Sequence, residues 1–398
     1  MTALATTTLE MVSRERWDAI VIGAGPAGAL AARGLAQRQV RTLLVDRKAF
    51  PRDKVCGSCI SRPALSLLEQ AGLAARIEPL EGIPLTEARI VIKSRSLRVP
   101  LPGVMFIPRS ALDEALVKAA IAEGVRFLPE VTAAVSPPSS SDKTLTRVVE
   151  LKDSKGGSVT ALASAVVAAD GLGHPSLRNC PEFRDQVVRN SRMGLGATFS
   201  TTSSGFDLGS VTMAVARSGY VGAVRLRDGR LHLAASVDCG AMRRAHQPPH
   251  LIARILKESH LPRVPELADA DWQGTIPLTR RSSQVACQRI FLIGDAAGYV
   301  EPFTGEGIAW ALTTGMAVPT FVKQALHETS GQAELDWQSC YQQLIHHRQD
   351  WCRWLAWLLR KPPLASAALW LLSLFPRVPQ FVVNRLNRHL SLAERDFA

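Results

Sequence analysis

Gly23-Ala24-Gly25-Pro26-Ala27-Gly28 places three glycines at G-x-G-x-x-G spacing. Those residues at that spacing suit the holding of a pyrophosphate. Gly23 permits a tight turn, Gly25 lets a phosphate approach the backbone, and Gly28 lets a helix lie close on a strand. A helix opening at Pro26 and Ala27 would aim free N–H groups and a partial positive charge at the phosphates. Asp46 closes the next apolar run, where a carboxylate accepts hydrogen bonds from an adenosine ribose. A chance glycine-rich turn would lack this strand-before, helix-after context.

Two later segments join a carboxylate to glycines: Ala169-Asp170-Gly171, and Gly294-Asp295 through Gly305-Glu306-Gly307-Ile308. A carboxylate directly after a strand, followed by a glycine-containing turn, can hold a ribityl hydroxyl. The 305–308 turn opens a helix whose N–H groups could face the N1/O2 edge of a flavin, where reduction gathers negative charge. Cys56 and Cys59 form a C-x-x-C after Lys54. A redox dithiol would use Lys54 to favour a thiolate. No thioredoxin-like strand–helix pair flanks it, so the expectation is that Cys56 lines the flavin cavity and Cys59 is dispensable. Cys56 and Glu306 are the side-chain candidates for chemistry beside the ring. No second C-x-x-C is present, so no metal site is expected.

The elements that must position these residues follow from the pattern. Asp18 to Gly23 is a short apolar run and reads as a buried parallel strand, Ala27 to Gln37 as a helix, and Val40 to Asp46 as a second strand. Ala163 to Asp170 and Arg289 to Asp295 read as further buried strands, and Ser110 to Glu123 as an amphipathic helix. Between them, Ala88 to Leu101 and Gly194 to Asp238 alternate, as half-buried antiparallel strands do. Pro137 to Lys143 reads as a surface turn, and everything from about Gly307 as helical. The expected fold class is α/β. A Rossmann-type dinucleotide domain (17–80, 105–185 and 285–345) is interleaved with an antiparallel β-sheet substrate domain (81–104 and 186–284). An N-terminal arm (1–16) and a C-terminal helical cap (346–398) complete it.

Three further segments carry a resemblance: Phe50-Pro51-Arg52-Asp53-Lys54-Val55-Cys56-Gly57, Ile107-Pro108-Arg109-Ser110-Ala111-Leu112-Asp113, and Asp295 through Gly307. With the first glycine motif, the chain resembles the FAD-dependent aromatic hydroxylase (group A flavin monooxygenase) superfamily. Its nearer branch is geranylgeranyl-reductase-like, and flavin-dependent halogenases are relatives. The resemblance spans residue 17 to about 330 and implies FAD. The holding residues would be Gly23, Gly25, Pro26, Ala27, Gly28, Asp46, Arg47, Arg109, Asp170, Gly171, Asp295, Gly305, Gly307 and Ile308. It also implies NAD(P)H as a transient reductant, because a single nucleotide fold leaves no second domain for it. Two departures bear on the reaction. The reductase branch's Y-x-W-x-F-P segment is reduced here to Gly219-Tyr220-Val221-Gly222, and the halogenase W-x-W-x-I-P segment survives only as Ile276-Pro277.

Composition limits the rest. Of 398 residues, 46% are hydrophobic and 21% charged, which excludes a disordered chain or a collagen. The net charge of +12 is scattered, with no run of five basic residues and no reader motif, so nucleic acid is not an expected partner. Residues 1–16 carry charges where a signal peptide has its apolar core, and seven widely spaced cysteines suit a reducing compartment. The expected location is therefore cytoplasmic. Residues 351–383 mix four tryptophans with arginines and a lysine. They read as a cap over a substrate cavity or as an interfacial helix touching a membrane. Both readings imply an apolar small-molecule substrate. The leading expectation is hydroxylation of an apolar aromatic or polyketide-like compound, followed by reduction of a C=C bond in an isoprenoid-like lipid. A non-catalytic lipid carrier on the same fold is the third.

Overall fold

The computed structural model describes residues 4–137, 146–301 and 303–375. Strand Arg16–Ile22 is buried on both faces from Ala19 onward, which is why its apolar residues run continuously rather than alternate. It pairs in parallel with Thr42–Val45 on one side and with Ser158–Ala168 on the other. The sheet runs in the order Ala286–Cys287, Ile290–Leu292, Ser158–Ala168, Arg16–Ile22, Thr42–Val45, Arg126–Leu128. Ser158–Ala168 does double duty. Its last residues lie between Arg16–Ile22 and Ile290–Leu292, while its first half pairs antiparallel with Arg147–Asp153, which in turn pairs with Val131–Val135. Helices Pro26–Gln37 and Gly307–His327 cross closely, because a Cβ on Gly315 would lie 2.5 Å from the Ala27 carbonyl oxygen. That contact brings both helix N-termini to one place.

The second sheet orders Gln273–Pro277, Arg192–Ser200, Arg230–Asp238, Gly219–Arg225, Ser210–Ala216, Ile83–Ile92, Arg95–Phe106 and Cys59–Ile60. It is antiparallel except where Ser210–Ala216 meets Ile83–Ile92 in parallel. Its strands come from separate stretches of the chain, so the two sheets are interleaved. Along Arg230–Asp238, Leu231, Leu233 and Val237 face a core closed by Leu251, Ile252 and Ile255 of helix Pro248–Glu258. The alternate residues His232, Ala234 and Ser236 face the first sheet's side, as the two-residue period requires.

The chain after Gly307 is helical as far as it is described. Helices His347–Leu359 and Pro362–Leu374 lay Leu359, Ala365 and Leu369 against Ile92, Val215 and Tyr220 of the second sheet. Burial of each leucine there stabilises the docking by about 1.5–3 kcal/mol. Among the described residues no helix is long and apolar enough to cross a membrane. The surface turn expected over 137–143 and the tail beyond 375 lie almost wholly outside the described residues.

Candidate functional site

The turn after the first strand cannot be built without glycine. Gly23 has φ +101°, and its Cβ would stand 2.3 Å from the Ala169 carbonyl oxygen. A Cβ on Gly28 would stand 1.8 Å from the Gly23 carbonyl oxygen. Gly25 differs. It is the N-cap of helix Pro26–Gln37, and a Cβ there would meet nothing closer than the guanidinium of Arg52 at 3.6 Å and that of Arg109 at 3.8 Å. Open space therefore lies over a helix N-terminus, with two guanidinium groups across from it.

Asp46 is buried and braces this turn. Its carboxylate accepts from Ala24 N at 2.8 Å and Lys48 N at 2.9 Å, and Arg52 lies 3.4 Å away. The Arg109-Ser110-Ala111-Leu112-Asp113 segment is a helical i,i+4 device. Arg109 donates two hydrogen bonds to Asp113, at 2.9 and 2.8 Å, and Leu112 is buried in the core beneath. Arg52 also lies 3.4 Å from Asp113, so two arginines and two aspartates form one buried cluster beside Gly25. Arg47 extends from the end of Thr42–Val45 as an exposed side chain.

A cavity of about 370 Å³ begins at this turn. Gly25, Pro26, Ala27, Arg109, Gly171, Asp295, Gly305, Gly307 and Ile308 all lie on its wall. Gly23, Gly28 and Asp46 stand behind it as the frame. Asp295 receives Lys54 Nζ at 3.3 Å, a contact across 241 residues of chain. Asp170 accepts from Ser176 N at 2.8 Å, and its other oxygen is buried without a partner. Burial raises the Asp170 carboxyl above its usual range, and the Ser176 hydrogen bonds oppose that shift. Gly305, at φ +77°, turns the chain into helix Gly307–His327, whose first N–H groups open on the cavity. An extended molecule with a central dianion and two polar ends matches this wall. Its pyrophosphate would lie at Gly25 between helix and guanidiniums, with ribityl hydroxyls at Asp295 and the ring edge at the 305–308 turn.

Cys56 and Cys59 both line the cavity, and both are free thiols. Cys56 Sγ accepts from Ser58 N at 3.3 Å, and Cys59 Sγ donates to Gly57 O at 3.3 Å. Burial, then the neighbouring Cys56, pushes the Cys59 thiol up to about 12, so it is protonated at neutral pH. The thiolate that a dithiol mechanism needs is therefore disfavoured there. Glu306 also lies on the wall, where burial raises its carboxyl and Cys352 Sγ approaches at 3.5 Å from helix His347–Leu359.

Sequence reasoning missed four residues of this site. His232 is half-buried, with its ring nitrogens 2.8 Å from Thr198 Oγ1 and 2.8 Å from Cys56 O, so it fixes the cysteine loop. Burial lowers its pKa. Glu301, 1% exposed, accepts from Ser236 Oγ at 3.1 Å, Arg192 Nη1 at 3.4 Å and Arg360 Nη2 at 3.3 Å. Arg192 lies under the Tyr220 ring, 5.8 Å from its centroid. Burial, then Glu301, raises the Tyr220 phenol well above its usual range. The one legible signal was a polar residue at two inward positions of an apolar strand, as in Leu231-His232-Leu233 and Ala235-Ser236-Val237. Arg192 and Glu301 gave none, since neither has its partner nearby in the chain.

Menaquinone reductase of Mycobacterium tuberculosis is 30% identical over 320 residues, covering 75% of this chain and 74% of that protein. Digeranylgeranylglycerophospholipid reductase 3 of Methanosphaera stadtmanae is 25% identical, covering 78% of each. In fold, the chain is similar to a triple mutant of the flavin-dependent brominase Bmp2 (TM-score 0.76, 17% identity, 94% of each chain). It is also similar to p-nitrophenol 4-monooxygenase PnpA of Pseudomonas putida (TM-score 0.72, 13% identity, 93% of this chain and 97% of that one). The family model for the FAD binding domain matches residues 16–342, which takes in both sheets and every cavity residue described above, so the chain belongs to that family and is an FAD-dependent oxidoreductase.

Proposed function

We propose that the protein reduces a carbon–carbon double bond in an isoprenoid-like lipid. The observation that carries this reading is the wall of the cavity beyond the 305–308 turn. Ala88, Ile90, Leu101, Val211, Met213 and Val224 line it, from four adjacent strands of the second sheet. Such a wall offers a hydrocarbon chain no polar partner and gains by removing it from water. The two relatives named above are both called reductases, and the printed name of one contains geranylgeranyl chains, which supports the same choice. Polar groups gather at the far end of the wall, where Tyr220, Ser236 and Glu301 would meet the polar end of such a molecule.

Bound and reduced, FAD supplies a hydride; NAD(P)H would replenish it transiently. The chain's own contribution is threefold. The helix N-termini at Gly25 and Gly307 and the Asp295 carboxylate would orient the cofactor. The apolar wall, against which the C-terminal helices pack, would limit access of water. A proton for the second alkene carbon would come from Cys56 or Glu306, both on the wall, and burial favours the protonated form of Glu306.

The second reading is hydroxylation of an apolar ring, and the apolar lining favours it, since oxygen chemistry also requires a dry site. One experiment separates them. The FAD-loaded protein is reduced under anaerobic conditions and mixed with a geranylgeranyl lipid or a menaquinone. Flavin reoxidation is expected, with two hydrogens added at a C=C bond of the isoprenoid chain as located by fragmentation mass spectrometry. No anaerobic turnover, together with oxygen from O2 in the product, would replace reduction with hydroxylation.

A further inference from the structure

The two C-terminal helices have an inverted outer surface. A helix docked on a domain normally turns polar residues outward. Here the buried positions of helix Pro362–Leu374 are Ala365 and Leu369, yet the opposite face shows Leu364, Trp370, Leu371 and Leu374, each 47–53% exposed. In helix His347–Leu359 the outward row is Trp351, Trp354 and Trp357, with the first two rings stacked at 5.0 Å. These rows put four indoles and three leucines outward on two adjacent helices, a clustering of exposed apolar side chains that marks an interaction surface. None of it is needed to dock the helices on the second sheet, because the inward faces do that.

A second observation identifies what meets this surface. At its edge lies a separate pocket walled by Lys93, Arg217, Arg360, Lys361 and Leu364, with Glu258 as its one acid. Arg360 is used internally by Glu301. Among the described residues no carboxylate forms an ion pair with Lys93, Arg217 or Lys361. Pocket and face are continuous. Leu364 belongs to both, and Lys361 Nζ stands 4.2 Å from the centre of the Trp357 ring. Unpaired cations beside outward-facing indoles match the layered chemistry of a bilayer surface, with phosphates above and acyl chains below. A second copy of the chain would bring the same three cations against themselves.

We propose that this face docks the protein on an anionic lipid bilayer. The indole and leucine rows enter the headgroup–acyl boundary, and lipid phosphates occupy the Lys93–Arg217–Lys361 pocket. The docked helices pack their inner faces on Ile90, Met213, Tyr220 and Phe303, which also line the cavity, so docking would set this side of the cavity toward the bilayer. The docking surface stands whatever reaction the cavity performs.

The test uses the full-length, FAD-loaded protein with vesicles of phosphatidylcholine alone and of phosphatidylcholine mixed equally with phosphatidylglycerol. Cosedimentation with the mixed vesicles and a blue shift of tryptophan emission are expected. Lys93→Gln, Arg217→Gln and Lys361→Gln should each weaken partition about fivefold. Trp354→Ser with Trp370→Ser should abolish the emission shift while flavin absorbance is unchanged. Three results would overturn the proposal: no partition of the parent protein on anionic vesicles, partition indifferent to both sets of changes, or a concentration-dependent dimer that the tryptophan changes dissociate. Partition that requires removal of residues 376–398 would assign the face to that segment instead.

Discussion

Gly25→Val separates cofactor binding from folding at a single residue. Two of the three glycines in the motif are required by the fold itself, since added methyl groups would meet backbone oxygen at 2.3 Å for Gly23 and 1.8 Å for Gly28. At Gly25 the nearest atom is a guanidinium nitrogen at 3.6 Å, an ordinary contact, and φ is −76°, which valine tolerates. Exchanging a glycine N-cap for valine costs about 1 kcal/mol, so the apoprotein should remain folded with a slightly lower Tm. The cofactor should not bind normally. The valine branches would occupy the space over the helix N-terminus and hold a pyrophosphate away from its N–H donors. Losing two charge-assisted hydrogen bonds at about 1.5 kcal/mol each gives roughly 3 kcal/mol, a weakening of more than 100-fold. Thermal unfolding of the apoprotein followed by circular dichroism reads the first quantity, and quenching of FAD fluorescence on titration reads the second. Gly28→Ala serves as the contrast, since it should lower the apoprotein Tm sharply. If Gly25→Val bound FAD within threefold of the parent, the pyrophosphate does not lie over Gly25.

Removing Arg192 should be severe, because the 1%-exposed Glu301 carboxylate loses one of its two cations and Asp238 loses its 2.9 Å partner. Arg192→Met should cost about 3–5 kcal/mol in urea unfolding, and adding Glu301→Met should recover part of that loss. Cys59→Ser should leave flavin content and the rate of flavin reduction unchanged. In the parent, Cys59 should resist alkylation near pH 8 until the protein unfolds, since its thiol titrates at about 12. His232 carries a pH signature. Burial lowers its folded pKa below the unfolded value, so as pH falls the unfolded state takes a proton that the folded state refuses. Its contribution to stability is full above about pH 6.5 and is lost as pH falls below that. Tm measured from about pH 7 to 5 should therefore fall less steeply in His232→Gln than in the parent.

How much of this was legible in the sequence depends on the range over which each feature is determined. The turn at Gly23–Gly28 was readable because its constraint is local: strand, glycine and helix follow one another, and the clashing atoms at Gly28 lie within the same motif. The parallel strands were readable because burial on both faces leaves unbroken apolar runs, as in Ala163 to Ala168. The strands over 126–153 escaped notice because short segments such as Arg126–Leu128 have too few residues to declare a period. Helices Cys239–Ala245 and Pro248–Glu258 were overlooked inside a region read as β, although Leu251, Ile252, Ile255 and Leu256 repeat at helical spacing after a proline pair.

The site's polar end shows where reading a single sequence stops. Arg192 meets Asp238 and Glu301, and Glu301 meets Arg360, contacts that span from 46 to 109 residues of chain. Each of these residues looks alone like an ordinary surface charge. Their meaning comes from topology, because strand Arg192–Ser200 is next to Arg230–Asp238 and Arg360, between the last two helices, reaches Asn190 O and Asp238 at their ends. The same topology gives the tail its two faces. Because Arg360 reaches inward to Glu301, the turn between the last two helices is pinned. The helices then cannot rotate to hide Trp354 and Trp370 without breaking a buried ion pair. An apolar outer row held outward by a buried charge is the property that makes the vesicle experiment a test of the fold as well as of the surface.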